Sequence, residues 1–230
     1  MLRKSISLLL LALALTACEP ETPGETASLR VYHHALDGVP GSLDPAHASS
    51  IYDKFLAVNL FDTLYRYKYL ARPYELAPNL AEGMPQVSAD GLIYTIRIRP
   101  GVRFIDDAAF AEGRGREVRA ADFVYSIKRH FDASMRAQGA WLWQGRIVGL
   151  DDWKTDGSDY DAEVPGLRAL DDYTIQIQLI SPFPQLTHTL AQGFAAVVPR
   201  EAVERYGQEF AVRPVGSGPY RLTRFDSAGA

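Results

Sequence analysis

Side chains able to do covalent or metal chemistry are few in this sequence, and they are scattered. The five histidines are His33, His34, His47, His130 and His188. His33 and His34 are adjacent on an expected strand and so point to opposite faces. No pair has the helical i, i+4 spacing of a metal site. The single cysteine, Cys18, forms neither an intramolecular disulfide nor a thiolate metal site by itself. The acid-rich stretch Asp151–Glu163 lacks the alternating aspartates and terminal glutamate of a calcium loop and reads as a solvated loop. Gly216-Ser217-Gly218 is turn chemistry, because no Lys-Ser/Thr follows to complete a phosphate loop. There is no Gly-x-Ser-x-Gly elbow and no His-Glu-x-x-His. No nucleophile is paired with a base, so the chain does not read as an enzyme, and neither cofactor nor metal is expected.

What remains is recognition by contact. Trp141 and Trp143 lie between Gly139 and Gly145. Large rings with few rotors suit the wall of a cleft, and they suit a core equally well; the sequence leaves both open. Charge narrows the ligand class. The 230 residues carry 24 Lys+Arg against 28 Asp+Glu, a net charge of −4, which gives no polyelectrolyte drive toward nucleic acid. At 47 % hydrophobic and 23 % charged residues, disorder and fibrous classes are excluded.

The N-terminus has its own logic. Arg3 and Lys4 precede an apolar run from Ile6 to Leu15, broken only by Ser7. A membrane-spanning helix needs about 20 apolar residues, so the run matches a secretory h-region instead. Leu15-Thr16-Ala17-Cys18 resembles the bacterial lipobox. The resemblance implies cleavage after Ala17 and a lipid on the Cys18 sulfur, with several acyl chains holding the chain at a membrane. Residues 1–17 are thus a lipoprotein signal peptide. Residues 18–28, rich in proline and acids, form a flexible tether, and the folded part runs over 29–230.

Within 29–230, periodicity predicts alternating hairpins and helices. A strand is expected over Leu29–His34. Ile51, Phe55, Val58 and Phe61 share a helical stripe. Thr63–Tyr69 alternates as a strand with Tyr65, Tyr67 and Tyr69 on one face. Gln86–Val87, the turn Ala89-Asp90-Gly91 and Leu92–Arg99 form a hairpin with Tyr94, Ile96 and Ile98 inward. Arg119–His130 is a helix with Phe123, Val124, Ile127 and Phe131 on its stripe. Tyr173–Leu179 is a strand, and Arg200–Tyr206 is a helix capped at Gly207. The turn Val215–Tyr220 is expected to feed a strand, Tyr220–Arg224. The fold class is α/β with a mixed sheet and α+β character.

Eight stretches in this order resemble the family 5 extracellular solute-binding proteins of ABC importers, the oligopeptide- and dipeptide-binding type. They are Ser42–Pro45 (SLDP), Leu60–Leu64 (LFDTL), Pro78–Glu82 (PNLAE), Val87–Gly91 (VSADG), Tyr94–Phe104 (YTIRIRPGVRF), Ala120–Ser126 (AADFVYS), Asp171–Ile175 (DDYTI) and Pro214–Tyr220 (PVGSGPY). Two features depart from the family pattern: Ser217 stands where Thr is usual, and Asp106–Arg116 is a longer loop.

The resemblance implies the first lobe of a clamshell receptor, with the second lobe missing from this chain. It implies a peptide or related small solute as ligand, an ABC permease and ATPase as partners, and a periplasmic or envelope location. It also implies a lobe edge around Ala48–Ile51, where a ligand backbone can add as a strand. Ser49, Ser50 and Ile51, with Trp141 and Trp143, are therefore the candidate ligand residues, and a monomer is expected. Two alternatives stand beside this reading. One is a non-binding remnant with only the first lobe. The other is an envelope lipoprotein hydrolase, which needs a nucleophile–base pair the sequence does not offer.

Overall fold

A computed structural model describes residues 31–153 and 159–226. Its central sheet is made of β3 (Gln86–Val87), β4 (Ile93–Arg97), β5 (Leu167–Asp171) and β6 (Thr174–Gln178), in the order β3-β4-β6-β5. Every pairing in it is antiparallel, so the α+β side of the expectation describes it.

The Asp-Gly hairpin forms as predicted. Gly91 takes φ +71°, the left-handed conformation that glycine adopts without a Cβ penalty. Asp90 Oδ1 accepts from Leu92 N at 3.0 Å, and Ser88 Oγ accepts from Ile93 N at 2.9 Å, which closes the turn. The alternation of β4 then decides its faces. Tyr94 and Ile96 oppose Ile177 and Ile175 across the β4–β6 ladder, and all four are buried.

Helix α2 (Ala120–Lys128) covers this apolar face through Phe123 and Ile127. Its start is held by Asp122, whose carboxylate accepts from Arg119 N at 2.8 Å and so satisfies one of the orphan donors of a helix start. Of the expected stripe, Val124 and Phe131 are only half-buried, while Tyr125, Ser126 and Lys128 are buried. The helix is packed on more than one side, so a single stripe undercounts its contacts.

Arg116 ties this layer to helix α4 (Arg200–Tyr206). Its guanidinium meets both oxygens of Asp122 (2.8 and 2.7 Å) and both oxygens of Glu201 (2.6 and 2.7 Å). Gly207, at φ +51°, ends α4 as expected. A second, two-stranded sheet pairs β1 (Tyr65–Tyr67) with β2 (Leu76–Pro78). Helix α1 (Ile51–Leu60) and the short helix α3 (Leu186–Thr189) complete the elements used below.

Two expected strands do not form. Of the first, Leu29–His34, residues 29 and 30 lie outside the described residues and 31–34 carry no strand; Tyr32 and His34 stack there with ring centroids 6.1 Å apart. Residues 220–224 also carry no strand. Their approach to α1 explains why: Gly218 N donates to Leu60 O and Tyr220 N to Asn59 O, each at 3.1 Å. The segment thus satisfies helix-end carbonyls rather than a sheet edge. Cys18, the lipobox and the tether lie outside the described residues.

Candidate functional site

The Ser42–Pro45 loop and the start of α1 are anchored by two buried carboxylates. Asp44 makes a two-point ion pair with Arg129, Oδ1 to Nη1 at 3.0 Å and Oδ2 to Nη2 at 2.6 Å, and both side chains are buried. Burial alone would raise the Asp44 pKa. The Arg129 charge, with bonds from His47 and Ala46 N, overcomes this and holds the carboxyl well below its usual 3.8.

Asp53 does the second job. Its Oδ1 accepts from Gly41 N (2.7 Å) and Ser42 N (3.3 Å), and its Oδ2 accepts from Ser50 N (2.9 Å). Ser50 Oγ returns the bond by accepting from Asp53 N at 3.0 Å, which completes a capping box. The Ser50 oxygen thus serves as an acceptor at the helix start.

These anchors set the rotation of α1. Asp53, Ala57 and Leu60 face inward. The stripe Ile51, Phe55 and Val58 faces out, at 74 %, 45 % and 61 % exposure. Helical spacing alone suggests a core face for that stripe; the buried cap at Asp53 turns it to solvent. Ile51 and Ser49 are both exposed. Ala48 is buried, at 3 % exposure, and the main chain of the exposed Ser49 makes no backbone hydrogen bond among the described residues.

The segment leading to Trp141 is fastened beside this loop. Gln138 N donates to Ala46 O at 2.8 Å, and His47 Nε2 lies 2.6 Å from Met135 O. Trp141 is 64 % exposed, whereas Trp143 is wholly buried within the core. The structure separates the two rings: Trp141 can meet a ligand, and Trp143 offers it no surface. Nearby, His130 is buried and donates through Nε2 to Phe194 O at 2.8 Å. Burial pushes its pKa down to about 4, so it is a neutral structural group.

A cleft of about 280 Å³ opens at the far end of α1, lined in part by Val58, Asp62, Thr63, Asn79, Gly193 and Pro219. Asp62 is its polar hub. Oδ1 accepts from Asn79 Nδ2, and Oδ2 accepts from Ser217 Oγ, each at 2.9 Å. Asp62, Asn79 and Ser217 come from three of the motifs quoted above; their positions in those motifs were the only signal in the sequence that they meet. Phe55 and Val58 were not singled out as site residues. Their exposure depends on the Asp53 contacts, which periodicity does not contain.

Chemically, this surface offers apolar contact area and hydrogen-bonding groups. It joins an outward apolar helix face, an exposed indole, unpaired main chain and a carboxylate-centred cleft. Among the described residues no group of three or more His, Cys, Asp or Glu converges on a metal position.

Comparison with known proteins bears on the same segments. Residues 75–229 match the bacterial extracellular solute-binding proteins, family 5 (middle part). The chain is 30 % identical over 205 residues to the oligopeptide-binding protein AmiA of Streptococcus pneumoniae, covering 88 % of this chain and 29 % of that protein. It is 27 % identical over 185 residues to the glutathione-binding protein GsiB of Pectobacterium atrosepticum, covering 80 % and 30 %. Among solved structures, the pheromone receptor PrgZ superposes with TM-score 0.68 at 27 % identity, over 82 % of this chain and 35 % of that one. The periplasmic binding protein DppA of Helicobacter pylori, in complex with a peptide, gives TM-score 0.63 at 28 % identity, over 80 % and 35 %. The chain spans about a third of the length of these relatives.

Proposed function

Because this chain belongs to the family 5 bacterial extracellular solute-binding proteins, we propose that it captures oligo- or dipeptides, or a related small solute, for import by an ABC permease and ATPase. Members of the family are periplasmic or extracellular transporter binding proteins, which supports a solute-binding role without catalysis for this chain. The finer reading adds that Cys18, once lipidated, holds residues 29–230 at the cell envelope through the tether 18–28.

The observation that carries the peptide reading is the exposed Ser49, whose main chain makes no backbone hydrogen bond among the described residues, next to the exposed Ile51 and Phe55. A ligand backbone laid against Ser49 gains main-chain hydrogen bonds that do not depend on its side chains. The apolar face of α1 and the Trp141 ring then supply sequence-tolerant contact area. Recognition of this kind suits varied peptides better than one rigid solute.

The test is a titration of the isotopically labelled chain with a di- to pentapeptide mixture, followed by amide and indole resonances. Shifts confined to Ala48–Ile51 and the Trp141 indole are the expected result. Unmoved resonances there, with or without binding elsewhere, overturn this site.

A further inference from the structure

The loop joining β1 to β2 presents a composition that the fold itself does not use. Hairpin tips are ordinarily built of Gly, Asn, Asp or Ser. This one reads Lys68-Tyr69-Leu70-Ala71-Arg72-Pro73-Tyr74-Glu75. It is closed by Lys68 N donating to Glu75 O at 2.8 Å and by the Lys68–Glu75 ion pair at 2.7 Å. Its large side chains nevertheless point away from the protein: Tyr69 is 91 % exposed, Leu70 71 % and Tyr74 66 %.

Leu70 sits at φ +59°, in the left-handed region that glycine would occupy freely. A strained backbone that holds a leucine out in water is a feature from which function is reasonably inferred. Around the tip the charge is basic. Arg66, Lys68 and Arg72 are exposed, with Glu75 the one acid between Tyr65 and Glu75, in a chain whose net charge is −4. The Arg72 guanidinium lies 4.5 Å from the Tyr74 ring centre, and Tyr67 packs edge-on to Tyr74 at 6.0 Å.

We propose that the β1–β2 loop is a membrane-contact tip that docks on an anionic phospholipid surface. Tyr69 and Tyr74 supply amphipathic rings suited to the headgroup layer. Leu70 supplies the apolar group that enters below it, and Arg66 and Arg72 supply attraction to anionic lipid. The contrast between a basic tip and an acidic body also orients the contact, since an anionic surface attracts the loop and repels the remainder. Tyr69, Leu70 and Tyr74 stand out into solvent, which favours a lipid layer over a protein partner.

The experiment needs no lipid anchor and no peptide, so its outcome is independent of the reading above. In the full chain, Cys18→Ser removes the only cysteine, and Ala71→Cys then carries an environment-sensitive fluorophore. The same label at the exposed Ala111 is the control. Vesicles of phosphatidylcholine with phosphatidylglycerol should blue-shift and raise the emission at position 71 several-fold, with little change at 111. Pure phosphatidylcholine, or 1 M salt, should give less than half that response, because at 1 M the Debye length falls to about 3 Å. Tyr69→Ser with Leu70→Ser, two exposed sites whose change leaves the core untouched, should abolish it. A label at 71 that responds no more than the label at 111, or equally to both lipid compositions, overturns the proposal. A response that survives the double substitution does so as well.

Discussion

Ser217 donates its hydroxyl hydrogen to Asp62 Oδ2 at 2.9 Å, across 155 positions of the chain. Asp62 receives Asn79 on its other oxygen, so one carboxylate gathers three distant segments at the end of α1. The neighbouring glycines explain how the last segment approaches so closely. A Cβ on Gly216 would sit 2.0 Å from Leu60 O, and one on Gly218 would sit 2.5 Å from the Leu60 carbonyl carbon. Ser217→Ala should therefore cost about 1 kcal/mol, while Ser217→Thr keeps the hydroxyl and should change stability little. Gly216→Ala should cost more, about 1–3 kcal/mol, because backbone rather than a flexible side chain must yield. Urea unfolding of the three variants checks the order; an alanine at 216 milder than one at 217 contradicts it.

The Asp44–Arg129 pair makes a sharper prediction. Arg129→Met leaves a buried carboxylate without its partner and should cost about 3–5 kcal/mol. Adding Asp44→Leu should recover a large part of that loss, because the uncompensated charge goes with it. A single variant as stable as the parent would mean that water reaches the site.

Acid should act through two groups in separate windows. His130 is held down to about 4 by burial, against 6.5 in an unfolded chain. Between those values the unfolded state binds the extra proton. Stability from this group is therefore full above 6.5 and is lost as pH falls toward 4, by up to about 3 kcal/mol. Asp44, held below 3.8, keeps its contribution above that value and loses it as pH falls further, through the folded value. His47 runs the opposite way. Its bond to Asp44 raises its pKa despite burial, so its contribution is full below 6.5 and fades as pH rises through the folded value. His130→Gln should flatten the melting-temperature profile between pH 6.5 and 4 without touching the fall below 3.8. A profile that keeps its full slope there would assign the loss elsewhere.

How much of this was legible depended on whether a feature was local. The Asp90-Gly91 hairpin and the alternation of Tyr94, Ile96 and Ile98 follow from turn chemistry and period two, and the structure has them. The helix Ile51–Leu60 was equally legible, but not its rotation, which rests on Asp53 reaching back to Gly41 and Ser42. For the same reason Trp141 and Trp143 could not be told apart from sequence, since nothing in Ala140–Gln144 says which ring points inward. The strand expected over Tyr220–Arg224 did not form, and periodicity cannot see that its first donor, Tyr220 N, is taken by the Asn59 carbonyl. The motifs quoted for the family resemblance made Asp62, Asn79 and Ser217 visible as residues but not as a cluster.

Ile96 gives a direct check of the sheet register. It is 1 % exposed and faces Ile175 across β4 and β6. Ile96→Asp places a carboxylate there with no cation to meet it, which should prevent folding by costing more than about 4 kcal/mol. A soluble variant that melts cooperatively would show that this face is open.

The proposed anchoring through Cys18 predicts that Cys18→Ser moves the protein from the membrane pellet to the soluble fraction of the envelope. Both proteins must be compared at high salt, because the β1–β2 tip would add a weaker, salt-sensitive attachment. Full retention of the variant in the pellet at high salt would remove lipidation as the anchor.

The strength of peptide binding can also be reasoned out before it is measured. Clamshell receptors close two lobes over a ligand, and affinity grows with the share of ligand surface taken from water. In this structure the candidate surface is open. Ile51, Phe55, Val58 and Trp141 are all between 45 % and 74 % exposed, so a peptide on Ser49 is covered from one side. Main-chain pairing on one face, with half-made aromatic contacts, must still offset the cost of ordering a flexible ligand. The 230-residue chain should therefore bind a peptide mixture far more weakly than full-length relatives, with dissociation constants well above 1 µM, corresponding to less than about 8 kcal/mol. Trp141→Ala should weaken binding further, whereas substitutions at the buried Trp143 should act through stability. Calorimetric titration separates these cases. Sub-micromolar binding by this chain would mean that its own surface encloses the ligand, and that the edge at Ser49 is not where the peptide lies.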